Sequence, residues 1–147
     1  MKEQERVYSP FRFEGFVVQK MKFRRNEKCN EERFPLMFDM DVDYHFTEEE
    51  IQRKCCIVLT FVLFKEAENN NFPFELSMTF HGFFSATKSD FDDDVFSKMI
   101  KTNGLAILFP YVRSAVCDAT KMANVPPVLL PSMNIVEFLK KRKNKTV

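Results

Sequence analysis

From Leu36 to Phe46 the chain alternates. Leu36, Phe38, Met40, Val42, Tyr44 and Phe46 fall on one side, and Met37, Asp39, Asp41, Asp43 and His45 on the other. A period of two marks a strand with one covered face, so a strand is expected here with an apolar side and an acidic one. Phe11 to Phe23 has the same period less cleanly. Phe11, Phe13, Val17, Met21 and Phe23 share a face interrupted by Gly15 and Gln19, while Arg12, Glu14, Lys20, Lys22 and Arg24 lie opposite together with Phe16 and Val18. Gly15 marks a bend or a close backbone approach. Cys55 to Phe64 is apolar on both faces apart from Thr60, as a central strand would be. Phe72 to Phe84 gives a fourth strand, with Phe74, Leu76, Met78, Phe80 and Phe84 facing one way. The polar stretches Arg25–Arg33, Thr47–Arg53 and Glu66–Asn71 are the expected connections; Thr47 with the three glutamates after it would also suit one capped helical turn.

The period then changes. Ser89 with Asp92 has capping-box character, and Phe91, Val95, Met99 and Ile100 follow at helical spacing. Asn103-Gly104 reads as the stop of that short helix. A longer helix is expected from about Phe109 to Ala123, with Pro110 in its first turn, and Asn124 with Pro126-Pro127 ends it. A last helix begins after Asn134, carries Ile135, Phe138 and Leu139 on one side, and ends in Lys and Arg. The pattern gives an α+β fold: a four-stranded antiparallel sheet followed by two main helices packed on one face. Residues 11–140 form the expected domain, between a flexible N-terminus at 1–10 and a basic tail at 141–147.

Composition changes this picture in one respect. The chain has 147 residues, a net charge of +1, and 18 Phe with no Trp. Near-neutral charge gives no global attraction to nucleic acid. So many Phe side chains imply either a Phe-rich core or an apolar patch left for a partner. The four cysteines make no CxxC pair, and adjacent Cys55 and Cys56 point to opposite faces of a strand. Reduced thiols in a cytoplasmic protein are expected, with no membrane insertion, since no apolar run approaches the length of about 20 residues that spans a bilayer.

Candidate chemistry narrows the field further. Asp39, Asp41, Asp43 and Glu50 imitate calcium-loop positions, but Tyr44 stands where a turn glycine is required. Neither His45 nor His81 has a second ligand at zinc spacing, and three glycines cannot build a phosphate loop. No pair of groups is marked for acid–base work, so neither an enzyme nor a cofactor is expected. The acidic side of the second strand reads as a solvated face that could meet a basic partner. Lys140–Lys145 reads as a solvated helix end.

Two strings are more specific than any of these. LFPYVRSAV at residues 108–116 followed by PPVLLPSMNIVEFL at 126–139 resembles the C-terminal half of the bacterial export chaperone SecB and its relatives. PLMFDMDV at 35–42 and HGFFS at 81–85 extend the resemblance, with the order of elements, across roughly Phe11 to Leu139. The resemblance implies a cofactor-free holdase that binds unfolded polypeptides in long apolar grooves and assembles as a dimer or tetramer. Its implied client-binding positions are Leu36, Phe38, Met40 and Val42, then Val128, Leu129 and Leu130, then Ile135, Phe138 and Leu139. Its implied subunit contacts are Leu76, Met78, Phe109, Tyr111, Ala115 and Val116. In the export chaperones an acidic sheet surface docks the motor SecA. The matching part of the first strand here is basic (Lys20, Lys22, Arg24, Arg25), which argues against that partner. Some relatives serve instead as dedicated chaperones of antitoxins.

Overall fold

The computed structural model describes residues 9–145, with side chains through Arg142. The parts of the expected flexible N-terminus and basic tail beyond these limits lie outside the described residues. Four strands, β1 (Phe11–Arg25), β2 (Phe38–Glu48), β3 (Gln52–Leu63) and β4 (Phe74–Thr87), form one antiparallel sheet in the order β1-β4-β3-β2. The doubly apolar strand is interior, as its composition requires. Three helices follow: α1 (Asp93–Met99), α2 (Leu105–Met122) and α3 (Ile135–Lys145). They cover one face of the sheet. Leu105, Leu108, Val112 and Val116, at helical spacing on α2, are buried with Ile57, Leu59, Phe61 and Leu63 of β3 and Leu76, Phe80 and Phe84 of β4. Each such side chain contributes about 1.5–3 kcal/mol on leaving water.

Several local expectations are corrected. In β1 the register against β4 shifts between Phe13 and Gly15 and again between Val18 and Lys20. Each shift is a bulge that admits one extra residue and changes the side-chain phase. Phe16 and Val18 therefore lie opposite the core positions Gly82 and Phe80, and Val17 turns outward opposite His81. Gly15, at φ +109°, supplies the backbone that the first bulge needs. Glu66–Asn71 contains one helical turn, Ala67–Asn70, flanked by Glu66 and Asn71 in left-handed conformation.

Asp92, not Ser89, is the N-cap of α1, its carboxylate accepting from Val95 N at 2.8 Å. Gly104 does not stop the chain. Ile100–Gly104 forms a π-helical turn leading directly into α2, and Gly104 has ordinary helical angles. Its glycine identity answers to packing, because a Cβ there would meet Ile57 Cδ1 at 3.1 Å. Pro110 consequently lies inside α2 rather than opening it. It sits on the exposed side, where the carbonyl of Ala106 that it leaves unpaired can reach water. At the other end Asn124 takes φ +59°, Asn124 N donates to Lys121 O at 3.0 Å, and Val125 N to Thr120 O at 3.2 Å. This is the paired-bond stop of a Schellman cap.

Candidate functional site

Sheet register decides which side chains of β2 meet the helices. Phe38, Met40, Val42, Tyr44 and Phe46 stand opposite Leu63, Phe61, Leu59, Ile57 and Cys55, so they share the helix-covered face. Asp39, Asp41 and Asp43 stand on the other. An extended strand cannot wrap three carboxylates around one ion, so the calcium-loop imitation ends there.

The segment before β2 is held by side-chain amides. Asn26 Nδ2 donates to Ala67 O (3.1 Å) and Phe72 O (2.8 Å), and Asn71 Nδ2 donates to Asn30 Oδ1 at 2.6 Å. Phe34 then packs edge-on against Phe64, with centroids 5.3 Å apart. This leaves Phe34, Leu36 and Met37 exposed in succession at the mouth of β2.

The segment between α2 and α3 is tied to α2. The buried Thr120 hydroxyl donates to Val116 O (3.1 Å) and Cys117 O (2.8 Å) and accepts from Val128 N at 2.9 Å. Arg113 Nε donates to Leu130 O at 3.0 Å. Asn134 Oδ1 accepts from Glu137 N at 3.1 Å and starts α3. Phe138 of α3 stacks on Phe38 (5.5 Å, 16°), which stacks in turn on Phe61 (5.9 Å, 26°). Beyond it Arg142 crosses the sheet edge, Nε lying 2.6 Å from Asp39 Oδ1 and Nη1 3.1 Å from Asp41 Oδ1.

The implied client-binding positions lie at three depths, with Phe38 of β2 and Phe138 of α3 in direct contact. Met40, Leu130 and Ile135 are buried in the core cluster, at 1%, 0% and 2% exposure. Phe38, Val42, Val128, Phe138 and Leu139 are half-buried against it. Leu36 and Leu129 stand outside it, Leu129 at 70% exposure. Phe34 and Met37, exposed beside Leu36, were not singled out by the sequence, although Phe34-Pro35-Leu36-Met37 is itself an apolar run; Met37 borders the open sheet face with Asp39 and Val62. An open cleft of about 980 Å³ runs between α2 and α3, bordered by Ile107, Pro110, Arg113, Met133 and Val136.

The implied subunit contacts divide similarly. Leu76, Met78, Phe109 and Val116 are buried within the chain. Tyr111 is exposed, resting on Phe13 and Phe16 at 5.3 and 5.1 Å, and Ala115 is half-buried. Tyr111 and Ala115 border a second apolar groove, of about 350 Å³, with Val18, Met21 and the 73%-exposed Met122. The bulge that turns Val18 to this side hid that groove from a strict period-two reading.

The two edges of the open sheet face are oppositely charged. Lys20, Lys22 and Arg24 line β1, while the aspartates line β2. His45 Nε2 lies 3.5 Å from Asp43 Oδ2. Cys55 is buried and its thiol is pushed up to about 12 by desolvation and then by neighbouring Cys56; burial raises Cys56 and Tyr44 as well. These groups are held neutral, the opposite of an activated nucleophile. Among the described residues no cluster of three or more His, Cys, Asp and Glu could hold a metal ion, and no helix is long and apolar enough to cross a membrane.

Known proteins place this geometry. The family model described as preprotein translocase subunit SecB matches residues 24–146. An uncharacterized protein of Methanocaldococcus jannaschii is 29% identical over 132 residues, covering 87% of this chain and 81% of that one. Among solved structures, a Mycobacterium tuberculosis SecB-like chaperone in complex with a ChAD peptide from the HigA1 antitoxin aligns with a TM-score of 0.57 at 14% identity, over 90% of this chain and 97% of that one. A Streptococcus agalactiae protein of unknown function aligns at 0.51 and 17%, over 83% and 97%.

Proposed function

The chain belongs to the SecB family, and from that premise we propose that it is an ATP-independent holdase for non-native polypeptides, with residues 11–140 as its chaperone domain. The observation that carries this reading is the apolar surface at the mouth of β2. Phe34, Leu36 and Met37 are exposed there, and Leu129 is exposed on the segment joining the helices. Monomeric proteins rarely leave such surface uncovered without a partner for it. Met and Phe adapt to varied apolar side chains, so the surface reads hydrophobicity rather than one sequence. Several weak contacts along one unfolded chain then add through effective concentration. No catalytic step and no cofactor enter this mechanism, and the reduced thiols fit work in the cytoplasm.

We assign self-association to the groove between β1 and α2. Val18, Met21, Tyr111 and Met122 form a second exposed apolar patch, which a copy of the chain would cover as a dimer or within a tetramer. For export, the basic row Lys20, Lys22 and Arg24 weighs against docking of SecA. The alternative is service to one protein, such as an antitoxin; its support is the SecB-like chaperone of similar fold that holds an antitoxin peptide.

The test is suppression of aggregation of a thermally unfolded model protein by the purified chain, without nucleotide. Suppression near stoichiometric ratios is expected. No suppression at a several-fold excess removes the holdase reading, and recovery of one stoichiometric partner in place of many unfolded chains selects the alternative.

A further inference from the structure

β2 is an outer strand of the sheet, and two of its outward backbone amides, those of Met40 and Tyr44, are already engaged. In the β2–β3 ladder Phe64 N donates to Met37 O and Glu49 N to Gln52 O. Residues of odd number in β2 therefore point their backbone groups at β3, and Phe38, Met40, Val42, Tyr44 and Phe46 point theirs away from the sheet. Such a row of free N–H and C=O groups is a template for another extended chain. Here Met40 N donates to Asp39 Oδ1 at 2.9 Å, and Tyr44 N donates to Asp43 Oδ1 at 2.9 Å. Asp41, between them, and Asp39 are also bridged by Arg142.

We infer that the aspartate row of β2 is an edge guard: Asp39 and Asp43 occupy two of the five outward amides, those of Met40 and Tyr44, and so break the continuous ladder that addition of an extended chain requires. The physical logic has two parts. At Met40 and Tyr44 an incoming strand must displace a charge-assisted hydrogen bond before making a neutral one. It must also set its own carbonyls beside fixed negative charge. Under the holdase reading, on which the client half of this inference rests, the guard decides how a client is held. Unfolded chains bring free backbone groups as well as apolar side chains. With the edge closed, capture proceeds through side chains on the helix-covered face, and the client stays extended and releasable rather than becoming a fifth strand. The acidic row that the sequence presents as a solvated face is thus a specificity device.

The experiment uses the full chain carrying Asp39→Thr and Asp43→Thr together, threonine being at home in strands. Asp41→Thr is the control, because Asp41 accepts from no backbone amide in the ladder described above. Circular dichroism checks folding, and the single variants replace the double one if it fails. Amide exchange is read at Met40, Val42, Tyr44 and Phe46, with and without reduced, carboxymethylated α-lactalbumin, and sedimentation velocity follows self-association. In the wild type the client should leave exchange at Val42 and Phe46 unchanged. In the double variant those amides should slow roughly tenfold or more, through client pairing or through self-association, while Asp41→Thr behaves as wild type. Client protection of Val42 in the wild type overturns the inference, as does a double variant that neither self-associates nor gains protection. Should the wild type bind no client while the double variant self-associates through β2, the guard stands and the holdase reading falls.

Discussion

Replacing Thr120 by valine tests how the helix connection is held. The hydroxyl is fully buried, donates toward Val116 O and Cys117 O, and accepts from Val128 N. Valine keeps the branched shape and removes all of this. The two carbonyls belong to an α-helix and can accept helical bonds of their own, so the damage falls on Val128 N–H. A donor left unpaired in a covered site costs about 1–3 kcal/mol, partly offset by burying a methyl in place of the hydroxyl. For a chain of this length each kcal/mol moves Tm by about 2–4 °C. A fall of roughly 3–10 °C is therefore expected, with the Val128 amide losing its protection from exchange. Thr120→Ser is the comparison: it loses a methyl yet keeps Val128 protected. Because Val128 leads into Leu129 and Leu130, client affinity should fall with Thr120→Val at temperatures where the chain is still folded. Unfolding midpoints by denaturant and exchange at the single amide measure the two effects. If Thr120→Val changes stability by less than about 0.5 kcal/mol and leaves Val128 protected, the hydroxyl does not hold the connection and the reasoning fails.

The remaining predictions concern the two apolar patches and one thiol. Leu129→Asp, on the surface, should leave stability within about 0.5 kcal/mol while reducing suppression of client aggregation severalfold; unchanged suppression would remove Leu129 from the client surface. Met122→Asp combined with Met21→Asp places charge in the groove between β1 and α2, and native mass should shift toward the monomer. The same mass for both proteins would exclude that groove as the subunit contact. Cys55 titrates near 9.0 when unfolded and is pushed up to about 12 by burial. Folding therefore favours its neutral form: the contribution is fully present below the unfolded value and drains away as pH rises toward the folded one. Thermal stability should fall across that alkaline window in the wild type and less steeply in Cys55→Ala. Parallel slopes would show that the thiol is not the cause.

Much of the fold was legible because periodicity reports on covered faces. β2, β3 and β4 carry unbroken alternation or a continuous apolar run, and their pairing follows. The errors arise where geometry departs from a fixed period. In β1 two extra residues change phase, so Val17 and Val18 exchange sides without any change in composition. At Gly104 a residue type that usually ends helices was selected by the nearness of Ile57, which only tertiary packing reveals. Depth in the site was not legible either. Met40 and Leu36 share one apolar face in the sequence, yet one is buried in the core cluster and the other stands exposed before β2 begins. Phe38 could be placed beside Phe138 only because a helix from another part of the chain lies across it.

The two bulges of β1 also bear on how the chain can change length. With Glu14 and Gln19 skipped, the strand reads as strict alternation: Phe11, Phe13, Phe16, Val18, Met21 and Phe23 inward, and Arg12, Gly15, Val17, Lys20 and Lys22 outward. These two residues behave like leap days, inserted without disturbing the calendar on either side. Deleting Gln19 would straighten the strand and keep every later side chain on its own face. Deleting Lys20 instead would force the tail of β1 to slip, or convert the bulge into the missing partner. Single-residue gains and losses among relatives should gather at these two points, where the length of the strand can vary without altering what it buries.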